Sequence, residues 1–481
     1  MRGRFTVALA MALPLTAACG GTPPAKAPGA ATATDTAAPS VNNQGQQVGM
    51  SMGSVAGGEE LTGSAKDAYD RGFQAWVSGD LAGAKTAFND AIGKAPRAAG
   101  PRYSLGCVLE RLGDSQGALD AYRAAYTANS KYEAAIGAYA LLLARTGHGP
   151  DAEQVLGDKR AQNPDSVRLT TYLAEVKSLE GDSPGAQGLA QQALAKQPDF
   201  KDAMIVIARD YYRGHRWDLA KYALQAILDG ADDGSIPPRD KDNPEALLMR
   251  GLIERDMGQR KEALADFEKA ISKRPDLFEA YVSLGEMKLE AGNATEAQGP
   301  LEKAVRYAPN VAVAHLDLGD CYRLLGRPGD AKSELDKALT MDSTLAGVHY
   351  NLGLLYLFSP SVPGASGPDD QLTRAIQELN TFKSMRGAKT LKGPGDDVDE
   401  LLSTAKRKQG ELQVKAQAAA AASSASAAPP PPTAPAGSSA PAPAKASASA
   451  PAPAKTPAPA PAPAKASAPA APAPAQTPGK K

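Results

Sequence analysis

The stretch 251–310, GLIERDMGQRKEALADFEKAISKRPDLFEAYVSLGEMKLEAGNATEAQGPLEKAVRYAPN, carries its own period. Gly251, Gly258, Ala263, Phe267, Ala270 and Pro275 return 34 residues later as Gly285, Gly292, Ala297, Leu301, Ala304 and Pro309. Each kept residue type has a physical reason to be kept. Glycine ends a helix by entering the left-handed region, proline cannot continue one, and alanine lets two helices approach closely. One period therefore reads as two short helices and two turns, each pair leaning on the next.

Outward from this stretch the same spacing holds along most of the chain. Gly79, Gly113, Gly147 and Gly181 stand 34 apart, and after one interruption so do Gly258, Gly292 and Gly326. Five residues beyond each such turn comes an alanine: Ala84, Ala118, Ala152, Ala186, Ala220, Ala263, Ala297 and Ala331. With small residues at places eight, twenty and twenty-seven, a large apolar residue at twenty-four and proline at thirty-two, the pattern resembles the tetratricopeptide repeat (TPR). The first repeat has Gly72, Ala84, Phe88, Ala91 and Pro96, and the second has Gly106, Ala118, Tyr122 and Ala125. A ninth begins with Leu352, Gly353 and Tyr356. The expected fold class is all-α, a TPR α-solenoid of about nine repeats with a disordered N-terminal linker and an Ala/Pro/Lys-rich C-terminal tail.

The organisation follows from where the period starts, breaks and stops. Repeats 1–5 occupy 65–230 and repeats 6–9 occupy 244–386, separated by a charged, turn-forming insertion at 231–243. A second insertion, Ser359 to Asp370, delays the last B helix until about Gln371. Residues 396–416, with Val398, Leu401, Leu402 and Ala405 on one side, suit a helix that covers the open end of the last repeat. From 417 to 481 the chain is Ala, Pro, Ser and Lys, with Lys445, Lys455 and Lys465 ten apart. Such a segment cannot bury a core and reads as extended coil.

At the N-terminus, 1–18 read as a signal peptide: Arg2 and Arg4, an apolar run from Phe5 to Leu15, then small residues. The run is too short for a stable membrane span. Leu15-Thr16-Ala17-Ala18-Cys19-Gly20 resembles a bacterial lipobox, although Thr16 stands where leucine is usual. The resemblance implies that Cys19 is lipidated, which tethers the chain to a membrane without spanning it. Residues 19–62 then form a flexible linker, reaching roughly 35 Å on average. Gly20 follows the cysteine in place of the aspartate common in inner-membrane lipoproteins, so the resemblance favours a periplasm-facing outer-membrane location.

Composition narrows the function. Lys plus Arg number 53 and Asp plus Glu also 53, so no net charge draws the chain to nucleic acid. No phosphate-binding glycine loop, His-Glu-x-x-His or Gly-x-Ser-x-Gly is found, and no enzyme, cofactor or metal site is expected. Cys107 and Cys321 are too many repeats apart to form a disulfide. His315 and His349 share a place in successive repeats and are expected to be packing residues.

A TPR solenoid offers instead a face lined by its A helices at places two, five, nine, twelve and thirteen. Here that face holds Tyr69, Phe73, Trp76, Tyr103 and Leu141, then Arg168, Arg209, Tyr212 and Arg213, then Tyr350 and Leu354. Apolar ends around a basic middle would suit an extended peptide or helix of some acidic character. Charge reversal at Arg209 and Arg213 should then weaken partner capture without unfolding the repeats. The TPR clamp for a C-terminal carboxylate needs Lys at place five and Asn at place nine, and no repeat has either.

Lipobox, linker, repeats and Ala-Pro-Lys tail together resemble the TPR lipoprotein family of the gliding-motility apparatus in social gliding bacteria. That resemblance implies a scaffold which holds protein components of a trans-envelope machine, with the tail a candidate for peptidoglycan contact. A pilotin or outer-membrane assembly lipoprotein, and an accessory to cell-wall or polysaccharide enzymes, are the rival readings.

Overall fold

The structure, a computed structural model, describes residues 40–41, 47–48, 61–231, 234–386 and 397–426. The signal segment, Cys19, most of the 19–62 linker and the tail beyond 426 lie outside the described residues. Within the linker, Ser40–Val41 (β1) and Gln47–Val48 (β2) form a two-rung antiparallel pair. The remaining elements are helices, paired as A and B within each repeat. They are α1 Gly63–Ser78 with α2 Leu81–Lys94, α3 Ala99–Arg111 with α4 Ser115–Ala128, and α5 Glu133–Arg145 with α6 Gly149–Gln162. Next come α7 Val167–Leu179 with α8 Ser183–Lys196, and α9 Lys201–Arg213 with α10 Trp217–Leu228. After the insertion follow α11 Pro244–Asp256 with α12 Arg260–Lys273, α13 Phe278–Glu290 with α14 Ala294–Tyr307, and α15 Ala312–Leu324 with α16 Pro328–Met341. The ninth pair is α17 Ala346–Phe358 with α18 Pro368–Arg386, and α19 spans Val398–Ser426. The described residues from 61 to Ala421 belong to one compact unit that holds every repeat; of the second unit, Ala422–Lys481, the described part is the end of α19.

The 34-residue period is visible in the backbone. Gly79, Gly113, Gly147, Gly181, Gly258, Gly292 and Gly326 all have φ between 70° and 88°, at the turn from A to B. The interruption of the glycine series is an interruption of sequence alone, because His215 fills the missing place with φ 55°. The B helices of three repeats begin under an aspartate cap: Asp80, Asp114 and Asp182 each accept from the N–H of a glycine three residues on. Pro96, Pro164, Pro198, Pro275 and Pro309 each sit two residues beyond the end of a B helix.

Packing inside each pair depends on place eight against place twenty-four. A Cβ added at Gly72 would lie 2.6 Å from the Phe88 ring, and one at Gly251 would lie 2.7 Å from Phe267. Gly106, Gly285, Gly319 and Gly353 are pressed in the same way by Tyr122, Leu301, Leu335 and Leu379. The alanines at place twenty are buried throughout, from Ala84 to Ala331. Repeat 4 departs from this pattern, since Ala174 faces a small Ala190, and a core cluster of Ala174, Ala190, Ala193, Ala203 and Val206 joins it to repeat 5.

The two insertions are folded onto the repeats. At the first, the N–H groups of Arg239 and Asp240 donate to Ala226 and Ile227 carbonyls, sealing the end of α10. At the second, Gln371 donates to the carbonyls of Tyr356 and Ser359 and accepts from the Val362 N–H, while Val362 is buried. That anchorage lets α18 begin at Pro368, three residues before the expected start. Helix α19 covers the last repeat with Val398, Leu401, Leu402 and Ala405, and it runs to Ser426, ten residues past the expected end. The extra turns are mostly alanine, the strongest helix former.

A non-glycine residue in the left-handed region costs about 1–2 kcal/mol, partly offset at His215 by its edge-on contact with Trp217 at 5.0 Å. His215→Gly is therefore expected to raise stability by up to about 1 kcal/mol. A higher urea midpoint with an unchanged slope would show it; a lower midpoint would mean the ring contact matters more.

Candidate protein-binding face

The A helices place their ninth, twelfth and thirteenth residues along one inner face, and these residues pair along the solenoid. Arg145 bridges back to Glu110 of the preceding repeat. Glu175, 1% exposed, takes Arg213 at 2.6 Å and Arg209 at 3.7 Å, both from the next repeat. Arg209 also reaches Glu245 at 3.1 Å, and Glu245 in turn pairs with Arg274. Arg255 reaches Glu286 at 3.3 Å, and Arg323 reaches Asp320 within its own helix. Burial raises the Glu175 carboxyl, but the two arginines outweigh it and hold Glu175 below the usual carboxylate range.

This ladder changes the meaning of the basic middle. Arg209 and Arg213 lie beside carboxylates at places nine and two of neighbouring repeats, and Arg213 also donates to Ser178 Oγ at 2.6 Å. Arg168, the most open of the three, lies 3.9 Å from Asp202 and stands over the Phe200 ring. Reversing Arg209 and Arg213 would set new acids against buried Glu175, so the expectation that the repeats would tolerate it does not hold. The carboxylates missed in the sequence, Glu175, Glu245, Glu279, Glu286 and Asp320, occupy places nine and two of the same register, where the spacing could have found them.

The aromatic positions are packed as well. Tyr69 is 5% exposed, its ring 5.3 Å from Phe88 and its hydroxyl 3.1 Å from Ser104 Oγ. Phe73, Tyr103, Leu141 and Leu354 are buried, with Tyr103 held between Tyr122 and Tyr132. Tyr212 donates to Asp256 at 2.7 Å and packs against Trp217. Tyr350 donates to Asp397, at the start of α19, and packs on Phe382, so it docks the end cover.

The groove expected to open at Trp76 is covered by the chain itself. The Trp76 indole N–H donates to Asp276 at 3.2 Å, 200 residues away, and the Tyr307 hydroxyl donates to the Val77 carbonyl at 3.1 Å. Arg111 lies 4.4 Å over the Phe278 ring and 5.8 Å from that of Trp76. Turned so that its oxygen accepts from the Gly113 N–H at 3.3 Å, Asn310 also donates to the Arg111 carbonyl. Two glycines of the series serve this closure directly. An added Cβ would meet Arg306 at 2.6 Å from Gly79, and Asn310 at 3.1 Å from Gly113.

His315 and His349 do not meet. His315 Nδ1 pairs with Glu334 at 2.6 Å and its Nε2 with the Pro309 carbonyl at 3.0 Å, while His349 Nδ1 pairs with Glu378 at 2.6 Å. Among the described residues no group of three His, Cys, Asp or Glu is arranged to hold a metal. Cys107 and Cys321 are both free and buried, and burial pushes each thiol up to about 12.

Comparison with known proteins agrees with the repeat register. Family models described as tetratricopeptide repeat match residues 69–134, 248–298 and 288–350. The chain thus carries tetratricopeptide repeats, a class of helical solenoid that binds peptides and protein partners. No curated protein matches the chain. Similar solved structures include Cut9-Hcn1, an APC/C hetero-tetramer, at 14% identity over 71% of this chain and 76% of that one, with a TM-score of 0.47. Another is YrrB, described as a TPR protein with an unusual peptide-binding site, at 18% identity over 41% of this chain and 97% of that one, TM-score 0.30. A tetratricopeptide repeat protein from Parabacteroides merdae has 17% identity over 61% of this chain and 98% of that one, TM-score 0.30. All three scores are below 0.5, so the class rests on the matched repeats and the helix pairs themselves.

Two outcomes follow from the inner face. Arg209→Ala with Arg213→Ala leaves Glu175 buried without its cations and should cost about 3–5 kcal/mol, read as a fall in the urea midpoint. Burial pushes Glu279 up to about 7 against the pull of Arg111 and Arg274, and neither carboxylate oxygen has a hydrogen-bond partner. The fold therefore holds a proton there that the unfolded chain releases. Its contribution is complete below the ordinary carboxyl range and is lost as pH rises through about 7. Glu279→Gln should flatten the loss of stability between about pH 5 and about pH 8, and an unchanged slope would exclude Glu279 as its source.

Proposed function

We propose that this chain is a non-catalytic scaffold, anchored to the outer membrane by lipidated Cys19, which holds protein components of an envelope-spanning machine. The observation that carries the scaffold reading is the run of nine A/B helix pairs among the described residues, whose inner faces are laid side by side from repeat to repeat. The family match supports protein binding as the general activity. The finer reading draws on sequence: the lipobox at Leu15 to Cys19, the linker after it, and the resemblance of the whole arrangement to the gliding-motility lipoprotein family. In that reading the tail, with its lysines at 445, 455 and 465, extends toward peptidoglycan.

Anchor and scaffold are tested separately. Cys19→Ala should move the protein from the membrane fraction to the soluble fraction, and continued fractionation with membrane would remove the lipid anchor. Affinity capture from cross-linked envelopes should recover motility-apparatus proteins. Recovery of a secretin or a barrel-assembly protein would defeat the motility reading while leaving a scaffold, and retention on glycan without protein would favour the cell-wall accessory.

A further inference from the structure

The inner face of repeats 7 and 8 holds carboxylates that the ladder does not neutralise. Asp317 and Asp320 lie one turn apart on α15, and Glu286 on α13 is within electrostatic reach of Asp317. Arg255 donates to Glu286 Oε2 at 3.3 Å, and Arg323 to Asp320 Oδ1 at 2.8 Å. Those two cations face four acids, because Asp256 also takes Arg255 at 3.0 Å and Asp317 takes neither arginine by hydrogen bond. Asp317 is only 8% exposed, and its Oδ2 and the Oε1 of Glu286 are buried with no hydrogen-bond partner. Burial raises Glu286 to about 7, and burial with the neighbouring Glu286 and Asp320 raises Asp317 well above the carboxylate range.

A second set of observations falls in the same strip. Ser283 and Asn351 occupy the place of Asp317 in the flanking repeats, 34 residues to either side. They are 1% and 3% exposed, and Ser283 Oγ and Asn351 Oδ1 also lack partners. Three successive A helices thus carry unmatched oxygens at one level, where the great majority of buried polar groups are satisfied. Beside them the face is open and apolar. Leu324, one turn beyond Asp320, is 39% exposed, and Phe358, at the next place thirteen, is 57% exposed although the Lys408 ammonium stands 5.2 Å from its ring.

We infer that this strip, Glu286, Asp317 and Asp320 with Leu324 and Phe358 beside them, binds a partner polypeptide segment bearing lysine or arginine together with apolar side chains. The inference rests on the scaffold reading and gives the partner's charge, which is opposite to that expected from Arg168, Arg209 and Arg213 alone. A carboxylate cut off from water on one side gains most from a cation on its open side, and an ammonium or guanidinium brings hydrogen-bond donors as well. The exposed Leu324 and Phe358 give such a segment apolar contact beside the charge. The same sign repels phosphate, so nucleic acid and anionic lipid headgroups do not fit the strip.

The test uses the full chain and two dye-labelled peptides of about twelve residues, one alternating Lys and Leu and one alternating Glu and Leu, read by fluorescence anisotropy. The lysine peptide should bind at least about tenfold more tightly than the glutamate peptide, with affinity falling as salt is raised. Glu286→Gln with Asp317→Asn should reduce lysine-peptide affinity by at least about tenfold while the fold is kept, since Arg255 retains Asp256 at 3.0 Å and the amide at Asp317 replaces a carboxyl whose ionisation burial opposes. Glu262→Gln with Glu268→Gln, on the exposed side of α12, should leave it unchanged. Equal affinity for the two peptides, or undiminished binding by the Glu286 and Asp317 variant, would overturn the site. Such a failure with capture of envelope proteins intact leaves the scaffold reading standing, whereas lysine-peptide binding by a chain that captures no envelope protein does the reverse.

Discussion

Everything in this fold depends on one short-range fit, the small residue at place eight of an A helix against the large residue at place twenty-four of its own B helix. Six repeats use glycine there, pressed by Phe88, Tyr122, Phe267, Leu301, Leu335 or Leu379. With no Cβ in the way, the two backbones approach closely enough for the alanine at place twenty to disappear from solvent. Repeats 3, 4 and 5 have alanine at place eight, and there the partner is Leu156, Ala190 or Leu224, none of them aromatic. Because a solenoid is stabilised by repeats and nearest-neighbour interfaces, each local fit also sets the spacing of the next pair. In repeat 4 both members are alanine, and its buried Glu175 and Ser178, with Asp210 of repeat 5, hydrogen-bond with Arg213, Ser183 and Gln187.

The spacing set by that fit brings equivalent places of successive A helices side by side, which explains the ladder of charges. An acid at place nine of one repeat meets an arginine at place nine or thirteen of the next, as with Glu175, Arg209 and Arg213. Buried pairs of this kind contribute little net stability against hydrophobic replacements, but removing one member leaves an uncompensated charge and is costly. The ladder therefore fixes which repeats are compatible neighbours more than it adds to the strength of stacking. Where the order of signs fails, in repeats 7 and 8, carboxylates accumulate and their ionisation becomes unfavourable.

Features set by neighbours within one or two periods were legible in the sequence. The turns at the glycines, the buried alanines, both insertions and the end cover on Val398 to Ala405 all follow from a local register. His215 shows that the register outlasts its signature residue, since the backbone turns left-handed there without glycine. Trp76 and the arginines show the limit. Place number puts Trp76 on the inner face, but its partner Asp276 is 200 residues away, and no repeat pattern encodes which distant repeat comes round to meet it. Arg209 and Arg213 show the same limit, because one column of a ladder resembles a free basic surface until the opposing column is set beside it.

Closure between repeats 1 and 2 and repeats 6 and 7 also divides the inner face by use. At Trp76, Arg111 and Glu279 the chain is its own ligand, with an indole bonded to Asp276 and a guanidinium stacked on Phe278. A partner entering there would have to replace these contacts before adding any of its own, and only the surplus would appear as affinity. Repeats 8 and 9 ask for a smaller exchange, because Leu324 and Phe358 already face outward, with the Lys408 ammonium over the Phe358 ring. The same closure that removes the first repeats from binding also fixes α13, which carries both Glu279 at the contact and Glu286 beyond it. Glu279 and Glu286 stand seven residues, about two turns, apart there, so the closed contact and the acidic strip are held at a fixed separation by one helix.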